Sequence, residues 1–279
     1  MTPETRPARV PFTKAHAYGN DFLIVRTEAL PPAMDRVSLA RRICDRHRGV
    51  GADGLLIVDE QPSAAVMDLW NADGSPSELS GNGVRCVGVW LAHAQRLEVG
   101  ADILVHTGAG TKTLTRLVGP EDRARGRMTF RTAMGQPQHL QTATLVVAGE
   151  SVQVVTLRIG NPQCVILGPA TPARLVALAG PLAVHPHFPE GTNVELAEVE
   201  RPDCVRILIW ERGVGPTESS GTGTCAAAVA AAAFGGARRE LDVVAPGGTQ
   251  RVIWTDAGLD LIGWAAVVAE GEWIADRTS

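Results

Sequence analysis

Two short stretches of the chain join a hydroxyl side chain to a glycine-rich turn: Ser80-Gly81-Asn82-Gly83 and Ser220-Gly221-Thr222-Gly223. Each is followed by an apolar run that reads as a helix, Val84 to Ala94 in the first and Cys225 to Phe234 in the second. A serine before two glycines and a helical run stands where an N-cap stands, its oxygen accepting a backbone N–H of the first turn. The other N–H groups of that turn, with the positive end of the helix dipole, suit a carboxylate or a phosphate. One such turn is an ordinary helix cap. Two, at comparable places in the two halves of one chain, predict duplicated domains that face a shared anion.

The elements that must position these turns recur in the same order. Pro11 to Val25 reads as two strands joined at Gly19-Asn20-Asp21, and the spacing of Val37, Leu39, Ala40 and Ile43 predicts a helix over 37–46. Strands follow at Leu55–Val58 and Met67–Trp70, then the turn Asn71-Ala72-Asp73-Gly74 and the first helix start. Beyond that helix, strands are expected near Ile103–His106, Lys112–Val118 and Arg127–Arg131. The second half has strands near Thr144–Val147, Ser151–Ile159 and Cys164–Leu167, a helix over Ala173–Leu178, and a turn at Glu190-Gly191-Thr192-Asn193. A long strand, Val205–Trp210, and the turn Glu211-Arg212-Gly213-Val214-Gly215 lead to the second helix start. Met134-Gly135-Gln136-Pro137 punctuates the chain. The expected domains are therefore 1–132, with a strand over 265–279 returning to it, and 133–264. Strands outnumber helices in each, so the class is α+β with one long helix packed per curled sheet.

Composition removes several function classes. The 279 residues are 45% hydrophobic and 20% charged, which is globular. A net charge of −4 gives no basic field for nucleic acid or an anionic membrane surface. No apolar run approaches the roughly 20 residues of a membrane span, and residues 1–10 lack a signal-peptide core, so a cytoplasmic protein is expected. The five cysteines, Cys44, Cys86, Cys164, Cys204 and Cys225, are scattered and form no CxxC pair. That argues against a disulfide scaffold or a structural metal, and for a reducing compartment.

With these segments in view, the sequence resembles the diaminopimelate epimerase family. The resemblance is carried by Gly19-Asn20-Asp21-Phe22, Asp45-Arg46-His47-Arg48-Gly49-Val50-Gly51, Asn71-Ala72-Asp73-Gly74-Ser75, Gly81-Asn82-Gly83-Val84-Arg85-Cys86, Gly160-Asn161-Pro162, Glu211-Arg212-Gly213-Val214-Gly215, Gly221-Thr222-Gly223 and Pro246-Gly247-Gly248. It spans nearly the whole chain. It implies two pseudo-symmetric domains, each a curved, mostly antiparallel sheet wrapped around a central helix, with an active site in the cleft between them. It also implies a cofactor-independent isomerase with no metal and a small amino-acid substrate, and it is compatible with a homodimer. An epimerase removes an α-proton from one face of a carbon and returns one to the other, which requires two acid/base groups. In the family these are cysteines placed directly before the two Gly-x-Gly turns.

Here both positions are serine, Ser80 and Ser220. A serine hydroxyl has no accessible anion near neutral pH and needs an adjacent base, and the sequence places no histidine beside either one. Cys86 and Cys225 match second cysteines of the family and read as core residues. Gln163 stands where many members carry histidine, and Gly54 where a glutamine is common. The recognition set is of the family type: Asn20, Asn71, Asn161, Asn193, Glu211 and Arg212 match the positions that hold the unreactive amino-acid end of the substrate. Gly81, Asn82, Gly221 and Thr222 supply the helix-start donors. Singly, the asparagines read as turn residues; jointly, they read as a binding ring. Three readings of the paired serines stand at this level. They are an altered pair in an epimerase, a diverged racemase or isomerase of the same fold, and a catalytically silent amino-acid-binding protein.

Overall fold

Strand pairing repeats itself along the chain. The structure is a computed structural model and describes residues 8–32, 34–119, 122, 126–147 and 149–275. In chain order the first half runs β1 (Ala8–Ala17), β2 (Asn20–Arg26), α1 (Arg36–Ile43), β3 (Gly54–Gln61), β4 (Ala64–Asn71), β5 (Pro76–Ser77), α2 (Gly81–Ala94), β6 (Asp102–Thr107), β7 (Gly110–Leu117) and β8 (Arg127–Gly135). The second runs β9 (Gln138–Val147), β10 (Glu150–Ile159), β11 (Asn161–Leu167), α3 (Pro172–Ala183), β12 (Asn193–Arg201), β13 (Cys204–Glu211), β14 (Gly215–Thr217), α4 (Gly221–Phe234), β15 (Glu240–Ala245), β16 (Gly248–Thr255) and β17 (Gly258–Ala275). Residue contacts divide the chain into one unit of 1–17, 21–128 and 265–279 and a second of 18–20 and 129–264.

In the first unit β2 and β3 pair in parallel, with α1 as the crossover. β3 pairs antiparallel with β4, and β4 pairs antiparallel with β5 and in parallel with β6, with α2 as that crossover. β6 and β7 close the run antiparallel. The second unit makes the same pairings with β11 to β16, crossing over through α3 and α4. The registers superpose residue by residue. Leu55 lies opposite Trp70, and Val194 opposite Trp210. Each tryptophan pairs with a proline of the next short strand, Pro76 and Pro216. Counting along the matched strands aligns Gly54 with Asn193, Leu56 with Glu195, Asn71 with Glu211 and Phe22 with Gln163.

Both central helices are buried through most of their length: Gly81–Ala92 of α2 and Gly221–Ala231 of α4. A helix that is apolar all round can only be stable inside a core. Sequence decides how each fills its sheet. Helix α2 uses Val84, Val87, Val89, Trp90 and Leu91, side chains worth about 1.5–3 kcal/mol each when fully buried. Helix α4 is a run of alanines whose small surface lets Val165, Ala197, Val205, Ile207 and Ile209 close around it. The opposite faces of these sheets are covered by α1, through Leu39, Ala40 and Ile43, and by α3, through Leu175, Ala179 and Leu182. Asp35 and Thr171 cap α1 and α3.

Two loops have clear structural tasks here. Arg46 reaches both oxygens of Asp21, at 2.7 and 3.3 Å, and Asp53 at 2.9 Å, while Lys14 approaches Asp21 at 2.9 Å. This network ties the start of β2 to the loop after α1. Burial disfavours the Asp21 carboxylate, but its hydrogen bonds to Arg46 and Lys14 outweigh that and hold its pKa below the ordinary carboxylate value. In the second unit the Tyr18 carbonyl would lie 2.2 Å from a Cβ at residue 247, so only glycine fits there. The Tyr18 hydroxyl accepts a hydrogen bond from the Trp264 N–H at 3.1 Å.

Several expectations need correction. The central helices begin at Gly81 and Gly221, one turn before Val84 and Cys225, because the serines cap the glycines themselves. The turn at Glu190–Asn193 gives way at Asn193 to β12, a strand that sequence reading passed over. Met134-Gly135 is the end of β8 and joins a turn into β9, and the contact division falls after residue 128. The returning C-terminal strand is the end of β17, which pairs antiparallel with β1 up to Ala275 opposite Ala8. Residues 276–279 lie outside the described residues.

Candidate functional site

Ser80 and Ser220 are both N-caps in extended backbone. The Ser80 Oγ accepts from the Gly83 N–H at 3.0 Å, and the Ser220 Oγ from the Gly223 N–H at 3.2 Å. An α-helix leaves its first four N–H groups without intrahelical partners, and each serine caps one of them. Gly81-Asn82 in one unit and Gly221-Thr222 in the other complete these two helix starts. Around the first start, Asn82 Oδ1 accepts a hydrogen bond from the buried Arg85 guanidinium. Around the second, Ser220 and Thr222 place their hydroxyl oxygens 3.5 Å apart.

The floor beneath the two starts differs. Under Gly83, the atoms nearest to a Cβ would be Ser80 Cβ at 3.2 Å and Leu56 Cδ2 at 3.4 Å. Under Gly223 it would meet Glu195 Oε1 at 2.6 Å. Glu195 is fully buried, and among the described residues neither carboxyl oxygen has a hydrogen-bond partner. Burial, and then the charge of Glu211, raise its pKa well above the ordinary glutamate value. Gln163 is equally buried; its Nε2 donates to Asn161 Oδ1 at 2.6 Å, and its Oε1 has no partner among the described residues. On the β16 side, Gln250 donates to Thr224 Oγ1 at 3.1 Å.

Of the expected recognition residues, Asn161, Asn193 and Glu211 come together in the second unit. Strand alternation puts them on the α4-facing side of β11, β12 and β13, the side that carries Val165, Ala197 and Ile209 deeper in the core. The sheet face is thus apolar under the body of α4 and polar under its start. Asn193 Oδ1 accepts from the Arg212 N–H at 3.0 Å, which fixes the turn after β13. The Arg212 guanidinium is exposed and donates to the Glu190 carbonyl. Asn20 groups with the second unit, in the Tyr18–Asn20 turn. Asn71 stays in the first unit, where its Nδ2 donates to Ser75 Oγ at 3.0 Å.

Sequence reading missed Glu195 and Gln250. Glu195 sits in the strand that was passed over; the signal that finds it is register alignment of the two halves, which sets it against Leu56. Gln163 also lines a pocket of about 210 Å3 together with His139, Arg158, His187 and Glu190. The five cysteines are all buried. Burial pushes the Cys44 thiol up to about 12 and raises those of Cys86 and Cys164 further. Cys86 and Cys225 are core residues of the two central helices, as expected. Among the described residues, no group of three or more His, Cys, Asp or Glu side chains could hold a metal ion, and no helix is long and apolar enough to cross a membrane.

Comparison with known proteins gives a consistent picture. The diaminopimelate epimerase family model matches residues 12–139 and 155–271. The diaminopimelate epimerase of Desulforudis audaxviator is 40% identical, covering 94% of this chain and 99% of its own. That of Microcystis aeruginosa is 35% identical, covering 94% and 98%. Among solved structures, a hydroxyproline epimerase from Agrobacterium vitis superposes with a TM-score of 0.72 at 15% identity, over 96% of this chain and 92% of its own. That likeness shows the shared fold of two similar α+β units. The near full-length sequence matches go further: the chain belongs to the diaminopimelate epimerase family.

Proposed function

We propose that this chain is a cofactor-independent epimerase interconverting LL- and meso-diaminopimelate in the supply of lysine and peptidoglycan precursors, with proton transfer impaired by serine at both acid/base positions. A cytoplasmic setting fits that role. The observation that carries the reading is the pair of serine-capped Gly-x-Gly helix starts on register-matched scaffolds. Each offers preorganised N–H donors where a carboxylate gains charge as its α-carbon is deprotonated. Ser80 and Ser220 occupy the proton-transfer positions, and a serine is too weakly acidic to serve them well. The polar face of Asn161, Asn193 and Glu211, with Asn20, Asn71 and the fork of Arg212, suits the ammonium and carboxylate of the distant amino-acid end.

The test is solvent-deuterium incorporation at the α-carbon of diaminopimelate, for the chain itself and for its Ser80→Cys/Ser220→Cys form. Slow or no exchange is expected for the first, and epimerisation for the second, because a helix start keeps a thiol partly ionised near neutral pH. Single revertants should fall far below the double one, as groups acting as a unit do. A double revertant that folds and binds diaminopimelate yet leaves the α-proton in place would refute the assignment. Gln163, in the position many members fill with histidine, would then favour a diverged racemase acting on another amino acid.

A further inference from the structure

The duplication provides an internal control for Glu195. At the matched position the first unit has Leu56, an apolar side chain in ordinary contact with the helix start above it. The second unit puts an ionisable carboxyl there, fully buried and unpartnered, with Oε1 against Gly223. A carboxylate and the positive end of a helix attract each other. So do that helix end and any anion arriving from outside. One helix end carries the equivalent of roughly half a charge and cannot compensate two full negative charges in a buried site.

We propose that the α4 start binds its anionic ligand together with one proton, held on Glu195. Ionised, the Glu195 carboxylate occupies the helix end from within and repels the ligand; protonated, it leaves the helix end to the ligand. Above the pH at which free Glu195 ionises, binding takes up one proton from solvent: carboxylate, proton and anion give carboxylic acid and bound anion. The Ser80 start, floored by Leu56, binds without such coupling. The groups around Glu195 agree with this. Its register neighbours are Val165 on β11 and Ile209 on β13, with Gln163 and Asn193 beyond them and Gly223 above. Glu211 on β13 is the charged group that acts on it, and it opposes a second negative charge. Cys164 on β11 in turn has its thiol pKa raised by burial and by Glu195.

This rests on the reading that the α4 start receives a substrate carboxylate, and the experiment separates the two. The protein is labelled with carbon-13 at glutamate side-chain carboxyls, and the Glu195 resonance is assigned by its loss in Glu195→Gln. It is titrated free, with saturating meso-diaminopimelate, and with sulfate. The free carboxyl should titrate above the ordinary glutamate range, and a bound anion should move its midpoint up by at least one pH unit. Calorimetry in buffers of different ionisation heat should show proton uptake that Glu195→Gln abolishes, leaving affinity flat with pH. A Glu195 that titrates in the ordinary glutamate range, or a midpoint that neither anion moves, overturns the proposal. A shift with sulfate and none with diaminopimelate sustains it and sinks the substrate assignment instead.

Discussion

Replacing Glu195 by leucine, the residue that the first unit carries at the matched position, should stabilise the protein, and increasingly so as pH rises. The sign follows from linkage. The pKa of Glu195 is raised in the folded state by burial and by Glu211. Below the unfolded value, about 4.3 for glutamate, both states hold the proton and no pH-dependent difference arises. Above it the unfolded chain releases the proton and the folded chain retains it, so stability falls by about tenfold in the folding equilibrium per pH unit. The fall ends at the raised folded pKa. A leucine removes that slope. It also removes a buried carboxyl with no hydrogen-bond partner among the described residues, a group that costs about 1–3 kcal/mol to leave unsatisfied. The assay is urea unfolding of both proteins from about pH 5 to about pH 9, with equal m-values as the check that the denatured states are alike. The gap between the curves should be smallest in acid and widen with rising pH. Parallel curves, or a variant less stable throughout, would mean that Glu195 is an ordinary ionised group with partners, and the reasoning would fail.

Other outcomes follow from the same geometry. Asp21→Asn should cost about 2 kcal/mol at neutral pH by removing the charge that Arg46 and Lys14 both hydrogen-bond. Since the Asp21 pKa is depressed, its contribution is complete above the ordinary carboxylate range and lost as pH falls through the folded value, so thermal unfolding of the two proteins should converge in acid. Gly223→Ala should destabilise by about 1–3 kcal/mol because its Cβ would sit 2.6 Å from Glu195 Oε1. Gly83→Ala, with its nearest contacts at 3.2 and 3.4 Å, should cost less, and Glu195→Ala should rescue the first and not the second in a double-mutant cycle. Thiol reagents should label the native chain slowly near neutral pH, because its five cysteines are buried; rapid labelling of the folded protein would contradict this.

The fold was legible because the strongest sequence signals sit at its pivots. Serine, two glycines and an apolar run mark both central helices, and they recur with equal spacing from Trp70 and Trp210. The missing strand, β12, shows where such reading stops. Its first residue, Asn193, closes a run of turn-forming residues, and its glutamates at 195, 198 and 200 break the apolar alternation of a core strand. Sequence periodicity treats a carboxylate as a surface residue. Burial of Glu195 is decided by tertiary packing, through the position of α4 above it. For the same reason the asparagines could be named but not sorted. Asn161 and Asn193 share one polar face, while Asn71 belongs to the other unit and bonds to its own turn.

The duplication therefore preserves a scaffold and varies its chemistry. The two units share strand order, register, crossover helices and capping serines. They differ at matched positions of the strands beneath: Phe22 against Gln163, Leu56 against Glu195, Gly54 against Asn193, Asn71 against Glu211. Every replacement makes the second start more polar or more acidic. Unequal floors beneath equally capped helix starts give one scaffold two different local chemistries. On this account Leu56 and Glu195 are a matched pair, and exchanging them should transfer the proton dependence of anion binding from the α4 start to the α2 start. A swap that leaves the dependence with α4 would place its origin in Glu211 rather than Glu195.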